Sequence, residues 1–255
     1  MELPIDQLQL QFDRQQLWLL NLALSLVMFG IALEIRLADF REVFRAPKSV
    51  LAGVCAQFLL LPALTFVLVW VIAPRPSFAL GMLLVASCPG GNVSNFMSHL
   101  ARGNTALSVT LTAVATLMAV VMTPLNFQFW GSLYPPAREL LQTVRIEGWE
   151  MVRLVGLLLG LPVILGMALG HWRPDWARRT ARIFKKASLA FFAILVVLAL
   201  WKDRSVFESY VGYVFGIVLI HNLLALSTGY GLARALRLPG PDTRTLALET
   251  GIQNS

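Results

Sequence analysis

The chain has 255 residues, of which 57% are hydrophobic and 14% charged, whereas a soluble domain carries charge on about a quarter of its residues. An ordinary soluble protein is excluded, and lipid is the expected solvent for most of the chain. The formal charge of +7 comes from arginines scattered between apolar runs, which reads as retention charge at a membrane face and argues against a nucleic-acid binder.

Eight apolar segments follow one another in an all-α pattern, read as a single transmembrane domain over residues 1–255 with no soluble module. The N-terminal "MELPIDQLQLQFDRQQ" sets Glu2, Asp6 and Asp13 against Arg14, the wrong sign for a secretory signal, so the run from Leu17 to Ile35 is expected to be a retained helix. Ser49 to Ala73 comes next, then Ser77 to Leu100, Thr105 to Pro124, Met151 to Gly170, Ala187 to Trp201, Val206 to Leu236, and a last segment from about Thr243. Alternation of these segments across a bilayer places 14 of the 21 Lys and Arg residues on one face, among them the "RPDWARRTARIFKK" loop. Basic residues favour the cytoplasmic side, which predicts a multi-pass cell-membrane protein with its N-terminus outside. The chain stops at "LETGIQNS", part-way through the eighth segment, and a spanning helix cannot end there without unsatisfied backbone, so a continuation is expected.

Two places break the apolar pattern. "CPGGNVSNFM", Cys88 to Met97, puts Pro89, Gly90 and Gly91 inside the third segment, with the break expected near residues 88–95. The terminal "ETGIQNS" echoes it, with Gly251 followed by Gln253, Asn254 and Ser255. Unwound backbone at membrane depth is tolerated only beside protein or a watery cavity, and paired discontinuous helices point to a transporter site built on an inverted repeat. The preceding segments echo one another weakly, through Gln57 in one and His221 with Asn222 in the other.

The oxygens near these breaks are specific. Ser94 and Asn95 follow the first, Ser108 and Thr112 lie four residues apart on one face of the next segment, and Glu249 precedes Gln253 at the second. Neutral hydroxyl and amide oxygens with one carboxylate suit a hard monovalent cation, so the set reads as a sodium site, with free carbonyls at the unwound turns completing the shell. The hydroxyls of Ser108 and Thr112 also suit bonds back to their own helix or to a neighbour, and spacing alone does not choose. A carboxylate at membrane depth is costly and points to function. Cys55 and Cys88 lie inside apolar runs, so neither a disulfide framework nor a cysteine-based metal site is indicated, and no transition-metal set is seen. His99, His171 and His221 are scattered, and no HExxH, GxSxG or P-loop pattern occurs, so no enzyme is expected.

"MFGIALEIRLADF", "GVCAQFLLLP", "CPGGNVSNFMSHLARGNTALSVTLTAVATL", "HNLLA" and "LETGIQNS" together, from about Met28 to Ser255, resemble the bile acid:sodium symporter family. That resemblance implies an inverted-repeat transporter with panel and core domains, two discontinuous helices crossing in the core, and two sodium sites. One site would use Ser94, Asn95, Ser108, Thr112 and Glu249; the other Gln57, Glu249 and Gln253 with the backbone carbonyls of Thr250 and Ile252. With one helix ahead of "MFGIAL", the chain is similar to the nine-helix members, and it stops within the second discontinuous helix. The implied activity is sodium-coupled symport of organic anions, bile-acid-like or smaller carboxylates, by alternating access of core against panel. Sodium ions, the anion and the bilayer are the expected partners, with no cofactor beyond the coupling ion and no substrate residue singled out. A proton-coupled or uncoupled carrier on the same fold, and a non-transporting anion receptor, remain the alternatives at this level.

Overall fold

The computed structural model describes residues 25–143 except 27, 31 and 34, then 157, 160–177, 179–181, 183–184, 187, 190 and 194, and finally 204–253. The segments expected at 17–35, 151–170 and 187–201 therefore lie partly or largely outside the described residues, as do Asn254 and Ser255. Among the described residues the chain is helical with no strand, and the one extended pairing is an isolated bridge between Gly90 and Gln253.

After the short helical turns Leu37–Phe40 and Arg41–Arg45, the longer helices are α1 (Pro47–Ile72), α2 (Pro76–Ser87), α3 (Asn92–Leu100), α4 (Thr105–Leu133), α5 (Pro135–Thr143), α6 (Leu161–Trp172), α7 (Arg204–Ala235) and α8 (Gly240–Gly251). Three stretches are long and apolar enough to cross a membrane: α1 with 26 residues, α4 with 29, and Val211–Ala235 of α7 with 25. Their outer faces expose Leu59, Val67, Trp70 and Val71 on α1, and Val218, Leu219 and Leu223 on α7. Such faces are costly in water and suited to acyl chains.

Two compact units divide the chain. One comprises Met1–Leu10, Ala38–Val155 and Ile220–Ser255; the other comprises Gln11–Leu37 and Gly156–Leu219. In the second, Leu33 packs with Ala177 and Ala181. There Gly166 of α6 lets the backbone of Phe29 and Ala32 approach so closely that an added Cβ would lie 2.7 Å from Ala32 Cβ.

The first unit has its main apolar cluster at the meeting of α1, α4, α7 and α8, where Val50, Ala52, Leu107, Leu111, Ala233, Leu238 and Leu246 are buried together. Further along, Phe58 packs with Ala115 and Ala119, and Leu61 with Ala86 and Ala225. Small residues at these crossings bring backbones close, as is usual where helices pack in lipid. At Gly229 of α7 the Leu246 carbonyl oxygen would lie 2.3 Å from an added Cβ.

Three departures from regular helix shape this unit. In α1 the residues Ala56–Leu60 form a π-turn, in which the Leu61 N–H reaches back five residues to Ala56 O. Between α2 and α3 the chain leaves the helix only over Cys88–Gly91, so Ser94 and Asn95 belong to the first turns of α3 and not to the break. In α4 the helix runs through Pro124 to Leu133, where the sequence suggested an end. Spanning helices tolerate an internal proline when neighbours satisfy the freed backbone.

The two half-helices α2 and α8 match in form. Each has 12 residues, each follows a residue with left-handed backbone (Ala73, φ 46°; Arg237, φ 54°), and each starts from an extended cap (Arg75, ψ 147°; Pro239, ψ 148°). Each also ends in an extended residue, Cys88 (ψ 152°) and Ile252 (ψ 92°).

Candidate functional site

On α8, residues at spacings of three, four and seven share a face, and Asp242, Thr245, Leu246 and Glu249 are all buried. Glu249 is wholly inaccessible. Among the described residues no Lys or Arg pairs with it. A buried carboxylate without a countercharge is expensive, so its surroundings must compensate.

Three helices converge on it. From α3, the Ser94 hydroxyl donates to Glu249 Oε1 at 2.8 Å. From α4, the Ser108 hydroxyl donates to the same oxygen, and Thr112 Oγ1 lies 3.4 and 3.2 Å from Oε1 and Oε2. Asn95 Oδ1 faces both α4 hydroxyls, at 2.8 Å from Ser108 and 3.1 Å from Thr112. Ser108 and Thr112 thus point across to other helices. Back-bonding describes different residues instead: Thr116 donates to Thr112 O at 2.7 Å and Thr228 to Leu224 O at 2.8 Å.

Protons are scarce in this cluster. The single Ser108 hydroxyl hydrogen faces Asn95 Oδ1, Glu249 Oε1 and, at 3.2 Å, Ser98 Oγ. Ser94 has one hydrogen for Glu249 and for Gly91 O at 2.5 Å. Each of those acceptors carries two or more lone pairs. An oxygen-rich, proton-poor pocket with one negative charge is a donor set that suits a hard cation.

A second group of oxygens is found at the backbone of Glu249 and the end of α8. Gln57, fully buried in the π-turn of α1, donates through Nε2 to Glu249 O at 3.0 Å, and its Oε1 has no partner. Gln253 Oε1 is likewise buried and unpartnered, while its Nε2 donates to Thr250 O at 2.7 Å. Ile252 is the extended cap of α8 beside the Gly90–Gln253 bridge. The C-terminal ends of α2 and α8 both terminate here, adding the partial negative charge of two helix ends.

A family model described as the Sodium Bile acid symporter family matches residues 21–209. The chain belongs to that family. It is 30% identical over 237 residues to the uncharacterized sodium-dependent transporter YocS of Bacillus subtilis (strain 168), covering 92% of this chain and 71% of that protein. A probable chloroplastic sodium/metabolite cotransporter of Arabidopsis thaliana is 29% identical over 233 residues, 91% of this chain and 56% of its own. The ileal sodium/bile acid cotransporter of Homo sapiens is 30% identical over 239 residues, 92% and 66% respectively. The chain therefore spans from just over half to about seven-tenths of these relatives. The sodium bile acid symporter family is one of sodium-coupled membrane transporters and not of enzymes.

Within this member of the family the structure adds two polar residues that the local sequence pattern does not single out. Ser98 is fully buried and touches Ser108; its spacing of four from Ser94 is the available signal. Asp242 is buried in the first turn of α8, where its Oδ2 accepts from Ser49 at 2.6 Å and its Oδ1 from Asn104 Nδ2 at 2.9 Å. Asn104 in turn caps α4 by accepting from the Leu107 N–H at 3.1 Å. Asp242→Ala would strand both donors, and in sodium-free medium it is expected to lower stability by about 3 kcal/mol. A thermal melt equal to wild type would refute that anchoring role.

Proposed function

We propose that this chain carries the ion-binding core of a sodium-coupled symporter of organic anions. The observation that carries the reading is a fully buried Glu249, unpaired with any basic side chain among the described residues, facing Ser94, Asn95, Ser108 and Thr112. One sodium would be held by those five residues. A second would be held by Glu249, the unpartnered Oε1 atoms of Gln57 and Gln253, and the carbonyls of Thr250 and Ile252.

Several features support the architecture that goes with this reading. All nine residues lie in one compact unit, which we take as the core, with the Gln11–Leu37 and Gly156–Leu219 unit belonging to the panel. The matched forms of α2 and α8, joined at Gly90 and Gln253, support an inverted repeat with two discontinuous helices crossing. The basic residues of the 173–186 stretch support a multi-pass topology with that stretch inside and the N-terminus outside.

Two sodium ions sharing one carboxylate leave a net positive centre, which favours an anion close by. The ions also tie the two breaks together, so ion and anion stabilise each other reciprocally, and alternating access then carries both across. The test is thermal stability of the full-length protein in sodium against choline at fixed pH, with and without a panel of organic anions that includes bile acids and small carboxylates. Sodium is expected to raise the melting temperature, and the transported anion to raise it further only in sodium. Equal stability in sodium and choline refutes the coupling.

A further inference from the structure

The π-turn in α1 has an identifiable cause and an identifiable support. Pro62 has no N–H, so the Phe58 carbonyl loses the donor that a regular helix would give it four residues on. The backbone just ahead widens into the Ala56–Leu60 π-turn. Phe58 is 1% exposed, so water does not serve its carbonyl. The donor comes from α4, where Asn126 Nδ2 reaches Phe58 O at 3.0 Å. One turn back on the same face of α4, Thr123 donates at 2.7 Å to Ser87 O, the carbonyl that the chain break leaves free at the end of α2. A single turn of α4 thus serves the freed carbonyls of both distortions that approach Glu249.

We infer that Asn126 is a positioning residue for the ion site: by holding the Phe58 carbonyl that Pro62 leaves free, it maintains the wide turn that aims Gln57 at Glu249. The π-turn inserts an extra residue per turn and rotates the N-terminal part of α1 relative to its C-terminal part. Gln57 lies inside it, and its Nε2 reaches Glu249 O while its Oε1 is left for an ion. Restoring a regular helix would move Gln57 to another azimuth. The inference rests on the two-ion reading above and concerns the second ion, the one that uses Gln57.

The experiment uses the full-length protein and reads both the sodium-free melting temperature and the half-saturating sodium concentration. Wild type is measured first, and absence of any sodium response there defeats the coupling reading itself. Given that response, Asn126→Leu is expected to raise half-saturating sodium roughly tenfold, the equivalent of one buried hydrogen bond, and to flatten the cooperativity of the sodium curve. Pro62→Ala gives Phe58 O a backbone donor and removes no partner. It is expected to raise half-saturating sodium without lowering the sodium-free melting temperature, and it serves alone should Asn126→Leu not fold. The double variant is expected to recover stability but not the sodium response. Half-saturating sodium within twofold of wild type in either single variant, or recovery of both readouts together in the double variant, overturns the inference.

Discussion

Replacing Glu249 with glutamine is expected to abolish the sodium response while making the sodium-free protein more stable. In wild type the carboxylate is wholly buried and faces hydroxyls with too few hydrogens to neutralise it. Without a cation it is an uncompensated buried charge, and glutamine keeps the volume while removing that charge. Removing one partner of a buried ion pair costs about 3–5 kcal/mol, so half-saturating sodium should rise by about two to nearly four orders of magnitude. Melting of the purified full-length protein in choline and in sodium checks both halves. A Glu249→Gln variant that melts below wild type in choline, or that keeps its sodium shift, contradicts the site. Asp242 supplies the contrast, since it lies on the same face of α8 but each of its oxygens has its own donor, the Ser49 hydroxyl and the Asn104 amide, whereas Ser94 and Ser108 divide their hydrogens between Glu249 and other acceptors. Its removal should lower stability in the same medium where removal of the Glu249 charge raises it.

Gly90→Ala is expected to damage the ion site directly, because the added methyl group meets the carboxylate itself. The new Cβ would lie 2.6 Å from Glu249 Oε2, 2.8 Å from Glu249 O and 3.0 Å from Gln57 Nε2. It meets the carboxylate, the helix backbone behind it and the amide of α1 together, so no single rotamer change relieves it. Overpacking of this kind costs about 1–3 kcal/mol, and displacement of Oε2 should erase the sodium response in thermal melts. Gly81→Ala, in the half-helix α2 that leads into the break, is the control, because an added Cβ there meets nothing within 4 Å. Alanine in place of that helix glycine should be neutral or stabilising by up to about 1 kcal/mol. Retention of a full sodium shift by Gly90→Ala would show that the carboxylate is not held against Gly90.

Much of the site is legible in the sequence because its signals are local. A proline and two glycines announce a break within an apolar run, and a spacing of four puts Ser108 and Thr112 on one face. The family resemblance supplies the pairing of Gln57 with Gln253. The features that the sequence hides depend on partners far along the chain. The end expected at Pro124 does not occur, since a proline within a packed apolar helix can be carried through. The π-turn holding Gln57 is served by Asn126, 68 positions beyond the carbonyl it binds. Nothing in the sequence around Asp242 singles it out, and the partner that marks it, Ser49, lies 193 positions earlier.

Asp242 and Glu249 stand at the two ends of one face of α8, the first held by Ser49 and Asn104 and the second at the proposed ion sites. Seven residues at 1.5 Å each separate a pinned end from a charged tip by about 10 Å. Tilting such a rod by about 10° about its fulcrum sweeps the tip by roughly 2 Å, the difference between gripping an alkali ion and releasing it. Such a tilt would move the Glu249 carboxylate and the backbone carbonyls of Thr250 and Ile252 together, and with them both of the proposed ion sites.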